Sequence, residues 1–182
     1  MRRNVILMTI YEILVLILPF VTMPYISRVL GPEGVGVYAY SNSIVSYFIL
    51  ISLLGIQLYG KREIAKVNKD ETIRSKVFFE IYLIQLIMSI ISLGIYACFI
   101  LTTHDEIKTL LVIQLVMLVS SCFNIDWFYF GMEKFKVTVS RNLLVKVLSL
   151  VLIFVFIKEP NDLNRYVFIM SASTFFSQFV MW

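Results

Sequence analysis

Long apolar runs separated by short polar links are the feature that most limits how this chain can fold. Each run approaches the roughly 20 residues that an α-helix needs to cross a hydrocarbon core about 30 Å thick. We therefore predict an all-α fold, a polytopic membrane helix bundle with about six transmembrane helices. The predicted spans are Val5–Ser27, Tyr38–Tyr59, Val77–Leu101, Ile107–Phe130, Leu143–Ile157 with a start as early as residue 138, and Tyr166–Trp182.

The composition and the two ends of the chain agree with membrane insertion. Hydrophobic residues make up 59% of the 182 residues and charged residues only 15%, whereas soluble domains carry about 25% charged residues. Glu12 lies within the first run and no small-residue cleavage site follows, so we predict a retained span rather than a signal peptide. The last run ends at Trp182 without a basic flank, which indicates a truncated span in a fragment of a longer protein.

Lys and Arg are distributed unevenly between alternate links. With a cytoplasmic N-terminus, twelve of the 16 lie on the inner side, among them Arg141 and Lys146, and four on the outer side. This bias follows the positive-inside rule. It explains the net charge of +4 without a nucleic-acid partner, and it makes membrane lipids the expected neighbours.

Two links have distinctive sequences. In the first, ISRVLGPEGVGVYAY, we expect Gly31 and Pro32 to end a helix. Gly34 and Gly36 permit positive φ and close approach of neighbouring helices, so we predict a tight external hairpin. The second, KREIAKVNKDETIRSK, has no proline or glycine. It predicts a helix along the cytoplasmic surface, where anionic lipid headgroups would attract it.

Three segments in order carry a family resemblance: ISRVLGPEGVGVYAYSNSIV at Ile26–Val45, LLGIQLYGKREIAK at Leu53–Lys66, and FNIDWFYFGMEKFK at Phe123–Lys136. They resemble the N-terminal part of Wzx-type flippases of lipid-linked oligosaccharides, which belong to the multidrug/oligosaccharidyl-lipid/polysaccharide exporter superfamily. The resemblance implies two six-helix lobes in a MATE-like V around a central cavity, of which this chain is the first lobe.

The resemblance also implies a function and a location. The protein would translocate undecaprenyl-pyrophosphate-linked repeat units across the bacterial cytoplasmic membrane for capsule, O-antigen or exopolysaccharide assembly. A polysaccharide polymerase and other assembly proteins would be its partners. Two alternatives stay open: a cation-coupled exporter of drugs or amphiphiles with the same fold, and an inactive truncated membrane protein. A polymerase or ligase would need large external loops, and the external links are short.

Ionisable residues in or near the spans are the candidate functional residues, because they are costly there. Glu12 could bind a coupling proton or sodium ion, or pair with a cation on another helix. Arg28 near the outer end and Lys146 near the inner end could each snorkel to headgroups, or together contact the pyrophosphate of the substrate. Asp126 is either an interfacial helix end within an aromatic belt or a charge at the cavity mouth.

No enzyme constellation is apparent. The sequence contains no Gly-rich phosphate loop and no carboxylate pair at catalytic spacing outside the spans. His104 has no second ligand at metal spacing, and Cys98 and Cys122 lie within apolar runs, where a free thiol behaves as a small hydrophobe. We expect no catalysis, no metal and no cofactor.

Overall fold

A computed structural model describes residues 17–103 and 105–182. Glu12 and His104 lie outside this range. The described residues form helices without a β-strand, so the all-α membrane bundle is confirmed. The helices are α1, described over residues 17–29, α2 (Gly31–Leu53), α3 (Ile56–Lys66), α4 (Glu71–Thr102), α5 (Asp105–Ser120), α6 (Asp126–Gly131), α7 (Phe135–Phe156) and α8 (Leu163–Phe179), with single 3₁₀ turns at Ser121–Phe123 and Pro160–Asp162.

Four stretches of the described residues are long and apolar enough to cross a bilayer. Two of them each join a pair of helices, α2 with α3 and α5 with α6. The helix α8 has 17 residues and lies where the sixth span was predicted, whereas α1 begins outside the described range. The six-span count therefore stays a prediction. The four stretches are Gly31–Lys66, Glu71–Thr102, Ile107–Gly131 and Phe135–Phe156.

The predicted external hairpin between the first two spans is wrong in its extent. Helix α2 begins at Gly31, whose φ is +73°, and Pro32 lies in its first turn. Gly34 and Gly36 are helical and do not have positive φ. A single left-handed glycine reverses the chain, and proline is pre-organised for the first turn of the helix that follows. The link is therefore one turn rather than a loop.

The predicted surface helix between the second and third spans is also wrong. Its sequence divides between two helices, since α3 ends at Lys66 and α4 begins at Glu71. Asp70 caps α4, because its Oδ1 accepts hydrogen bonds from the backbone N–H groups of Thr72 and Ile73, both at 3.0 Å. An aspartate at this position stabilises a new helix start, so the charged residues divide between the end of the short helix α3 and the start of the long helix α4.

Two of the long stretches break at facing positions. Leu54 and Gly55, with φ of +36° and +75°, separate α2 from α3, and the turn at Ser121–Phe123 separates α5 from α6. Helix α4 is continuous beside them, and its Ser89 is within 2.6 Å of Ser52 on α2. Each break releases backbone groups from helical hydrogen bonding, and within a bilayer these groups must find partners in the protein.

Gln85 on α4 supplies partners at the second break. Its Nε2 donates to the carbonyl oxygens of Ser121, at 2.9 Å, and Asn124, at 2.8 Å. Its Oε1 accepts from the indole Nε1 of Trp127 at 2.9 Å. The amide thus has two acceptors and one donor as partners, and it is fully buried. One side chain of the continuous helix α4 therefore provides hydrogen-bond partners for backbone and side-chain groups at the break between α5 and α6.

Three buried serines complete this assembly, and their hydrogen-bond directions can be assigned. Ser121 Oγ donates to the carbonyl oxygen of Leu118 at 2.7 Å, so it must accept from Ser52 Oγ, 2.7 Å away. Ser52 has only one hydroxyl proton. It must therefore accept from Ser89 Oγ at 2.6 Å. A directed chain of hydroxyls links α4, α2 and the end of α5.

Glycines allow α3 and α6 to pack in direct contact. A Cβ added to Gly60 would lie 2.5 Å from the ring of Trp127, and one added to Gly131 would lie 2.6 Å from Cβ of Ile64. Trp127 and Ile64 are both completely buried. Two of the segments that carry the family resemblance therefore meet in this contact, and packing accounts for Gly60, Gly131 and Trp127.

A methyl group at Gly60 should destabilise the protein. Gly60→Ala forces a Cβ against the buried Trp127 ring, and we expect a loss of about 1–3 kcal/mol from overpacking. Gly94→Ala is the matched control, because nothing lies within 4 Å of its added Cβ and alanine is the better helix former by roughly 0.5–1 kcal/mol. Thermal unfolding in detergent checks both, and equal stability of the two variants would contradict the packing account.

The link between α7 and α8 is organised around Asp162. Its Oδ2 accepts from the backbone N–H groups of Lys158 and Glu159, at 2.9 and 3.0 Å, and its Oδ1 accepts from Arg165 at 2.7 Å. The two backbone hydrogen bonds, followed by the charge of Arg165, hold the pKa of this carboxyl below its ordinary value of 3.8. The carboxylate therefore favours the folded link.

The stabilisation from Asp162 should depend on pH. A carboxyl whose pKa is lowered on folding stabilises the protein at pH values above its unfolded pKa, and this contribution is lost as pH falls through the folded pKa. We expect Asp162→Asn to lower the unfolding temperature at pH 7 and to have progressively less effect below about pH 4. Glu71→Gln is the control, because that side chain is 88% exposed, and it should change little at either pH.

Candidate functional site

Two oppositely charged side chains meet inside the bundle. Arg141, on α7, donates through Nη2 to Oδ1 of Asp126, the first residue of α6, at 2.8 Å. Their side chains are only 6% and 16% exposed. Buried charges of this kind are costly unless they are paired and hydrogen-bonded. The ion pair therefore links α6 and α7, and the loss of either residue would leave the other charge buried without a partner.

Amide side chains extend the ion pair to α8. Arg141 Nη1 lies 3.4 Å from Oε1 of Gln178, and Gln178 Nε2 lies 3.5 Å from Oδ2 of Asp126. Arg141 Nη2 also donates to Oδ1 of Asn142 at 2.7 Å, and Ser177 Oγ donates to the same oxygen at 3.3 Å. The Nε of Arg141 is buried and has no partner among the described residues. Three helices are thus connected through one guanidinium.

A cavity of about 350 Å³ lies beside this network, between α7 and α8. An adjoining cavity of about 220 Å³ reaches α1 at Leu18, Pro19 and Thr22. Lys146, Ser149 and Met170 line both cavities. Eight of the ten residues that line the larger one have polar or charged side chains. Its lining is Asp126, Asn142, Val145, Lys146, Ser149, Met170, Ser173, Thr174, Ser177 and Gln178.

Lys146 lies near the middle of α7 rather than at its inner end. It is the twelfth of the 22 residues in Phe135–Phe156, about 16 Å along the axis from the first. No carboxylate among the described residues forms an ion pair with it. A cation at this depth that faces a cavity can be hydrated there or can meet an anion.

The structure brings two of the four predicted site residues together. Asp126 and Lys146 line the same cavity. Arg28 is exposed in the last turn of α1 and lines neither cavity. Glu12 lies outside the described residues. The functional roles suggested for these four residues stay predictions.

Sequence reasoning missed Arg141, Asn142 and Gln178. It counted Arg141 among the basic residues of the inner side, although it allowed the fifth span to begin as early as residue 138; α7 begins at Phe135. The signal for the earlier start was the lack of any helix breaker between residues 137 and 142. That continuity places Arg141 inside a span, where an arginine needs an acidic partner, and Asp126 is the acid that precedes it at the end of the fourth span.

The chain is similar to proteins that are described by polysaccharide biosynthesis and by O-antigen transport. A family model described as "Polysaccharide biosynthesis protein" matches residues 1–182. A relative from Escherichia coli (strain K12), described as "Putative O-antigen transporter", is 25% identical over 95% of this chain and 42% of its own length. A relative from Shigella dysenteriae with the same description is 26% identical over 97% of this chain and 45% of its own. The chain thus spans less than half of either relative. No solved structure matches it.

Removing one partner of the buried ion pair should destabilise the bundle. Arg141→Gln leaves the Asp126 carboxylate buried without its cation, and we expect a loss of about 3–5 kcal/mol. Combining it with Asp126→Asn removes the stranded charge, so the double variant should be more stable than Arg141→Gln alone. Unfolding in detergent measures both, and additive losses would show that the two residues do not act as a pair.

Proposed function

Because the chain belongs to the polysaccharide biosynthesis protein family, we propose that it is the N-terminal lobe of a flippase. Its substrates would be undecaprenyl-pyrophosphate-linked oligosaccharide repeat units, moved across the bacterial cytoplasmic membrane for O-antigen, capsule or exopolysaccharide assembly. The observation that carries this proposal is the polar cavity beside Lys146, set between long apolar helices.

The chemistry of the cavity suits the headgroup of such a lipid. A flippase must shelter a polar headgroup from the hydrocarbon core, while the lipid tail remains in the bilayer. Amide and hydroxyl side chains offer partners for sugar hydroxyls, and Lys146 offers a cation to the pyrophosphate. The outer faces of the same helices remain apolar, since Val147, Leu148 and Val151 on α7 are exposed, as contact with lipid requires.

Transport by the whole protein would need a second lobe. The relatives are more than twice as long as the segment that this chain matches, and a cavity that opens alternately to each side needs walls from both lobes. We place the N-terminus in the cytoplasm, because twelve of the 16 Lys and Arg residues then lie on the inner side. A polysaccharide polymerase and other assembly proteins would act with the flippase.

The remaining candidate residues have distinct proposed roles. Arg28, exposed at the end of α1, would contact the pyrophosphate at the outer side. Asp126 would hold Arg141 at the cavity wall, and Glu12 would bind the coupling ion. None of these roles includes a chemical step. A cationic drug is disfavoured as the substrate, because Lys146 has no described acidic partner and would repel it.

Neutralising Lys146 should slow translocation. For Lys146→Gln we expect a rate lower by about tenfold or more, the size of one lost charge-assisted hydrogen bond, whereas Lys146→Arg should retain most of it. The measurement is translocation of a fluorescent lipid-linked oligosaccharide in proteoliposomes that contain protein expressed from the native gene. Lys158→Gln, in the link between α7 and α8, is the control and should transport normally. Wild-type transport by Lys146→Gln would refute the role of Lys146.

A further inference from the structure

We propose that Asn142 is a second donor for the anionic group of the ligand, acting beside Lys146, and that Arg141 sets its orientation. This inference rests on the proposed function, because it names two residues that would recognise the pyrophosphate in the same cavity.

The orientation of the Asn142 amide follows from its neighbours. A guanidinium only donates hydrogen bonds, so the Asn142 atom 2.7 Å from Arg141 Nη2 must be the carbonyl oxygen Oδ1. Ser177 Oγ lies 3.3 Å from the same oxygen. The Nδ2 group has no hydrogen-bond partner among the described residues. It is also absent from their buried atoms that lack a partner, so it is accessible. Since Asn142 lines the cavity, its two N–H bonds are available there.

Arg141 is itself held firmly enough to fix this amide. Nη2 donates to Asp126 and to Asn142, and Nη1 donates to Gln178. The same donor-only argument identifies the Gln178 atom that faces Arg141 as Oε1, which leaves its Nε2 towards Asp126. Arg141 is 8% exposed and does not line the cavity. It is therefore a positioning residue, and it would act on the ligand through Asn142.

Asn142 and Lys146 are spaced to act together. They are four residues apart on α7 and line one cavity, and side chains at this spacing are neighbours on a helix face. The nearby hydroxyls of Ser149 and Thr174 donate to the backbone carbonyls of Lys146 and Met170, so their protons are already used. Asn142 Nδ2 and Lys146 Nζ thus supply adjacent N–H donors to the cavity.

Adjacent donors of this kind suit a ligand with several acceptor oxygens. A phosphate or diphosphate offers oxygens that only accept, and hydrogen bonds to ionised acceptors are the stronger ones. Asp126 also lines the cavity, but its charge is compensated by Arg141 at 2.8 Å. The cavity wall formed by described residues therefore presents a net positive charge, from Lys146, with the amide N–H groups of Asn142 beside it.

Binding of undecaprenyl diphosphate tests the assignment, with undecaprenol, which lacks the phosphates, as the reference ligand. Both are titrated against detergent-purified protein expressed from the native gene. Asn142→Ala removes the donor and leaves Arg141 its bonds to Asp126 and Gln178, and we expect its Kd for the diphosphate to rise about tenfold. Asn142→Asp keeps an oxygen for Arg141 and Ser177 but faces the ligand with a carboxylate, so its Kd should rise further. Neither change should alter undecaprenol binding.

Asn164→Ala and Asn164→Asp are the matched controls, because Asn164 is an exposed residue at the start of α8 outside this cavity. Unchanged diphosphate binding by both Asn142 variants would overturn the assignment. If Lys146→Gln still weakened binding in that case, the proposed function would stand and only the role of Asn142 would fail. A wild-type protein that binds the diphosphate no better than undecaprenol would refute both.

The positioning role of Arg141 has its own test. Arg141→Lys keeps a cation for Asp126 but loses the planar guanidinium, whose Nη2 also donates to Asn142. We expect it to weaken diphosphate binding in the wild-type background, and to have no further effect when Asn142 is already alanine. A merely structural role would give equal losses in both backgrounds, and that result would overturn the positioning role.

Discussion

The requirement that polar groups inside a bilayer find partners within the protein governs this structure. Its clearest expression is Gln85, which satisfies two carbonyl oxygens and one indole N–H at the break between α5 and α6. The break matters because it directs the short helix α6 against α3, where Gly60 admits the ring of Trp127. Without a partner such as Gln85, a broken helix could not be accommodated at that depth, and α6 could not present Asp126 to α7.

The ion pair follows from the same requirement. Once α6 begins at Asp126, its carboxylate lies among α6, α7 and α8 and needs a cation, which Arg141 supplies at 2.8 Å. Gln178 and Asn142 then add hydrogen bonds to the pair, while Arg141 Nε has no partner among the described residues. The position of the cavity is thus a consequence of the helix break, because the cavity lies beside the pair that the break makes necessary.

The all-α class could be predicted from the sequence, whereas the connections after the first and second predicted spans could not. Apolar length identifies a helix that can span a bilayer, since that length is set by bilayer thickness, and the charged ends extend beyond it. Gly31 was correctly expected to turn the chain, but Gly34 and Gly36 were not needed for it, because proline in the first turn starts the helix at once. Arg141 was counted among the inner-side cations and was not chosen as a site residue, because composition alone does not show which charges are buried against other helices. The pairing of Asp126 with Arg141 depends on the packing of three helices, and no local pattern encodes it.

Spare hydrogen-bonding capacity distinguishes the two polar assemblies. In the serine chain each hydroxyl proton has an acceptor, and Gln85 has a partner for both ends of its amide. That assembly stabilises the fold and presents no free donor to a ligand. Beside the ion pair, by contrast, Asn142 Nδ2 has no described partner and Lys146 has no described counter-ion, although both line a cavity. At membrane depth unused donors are costly, so water or a ligand has to satisfy them. An anionic headgroup would satisfy these donors best, since its charge would also compensate the positive charge of Lys146.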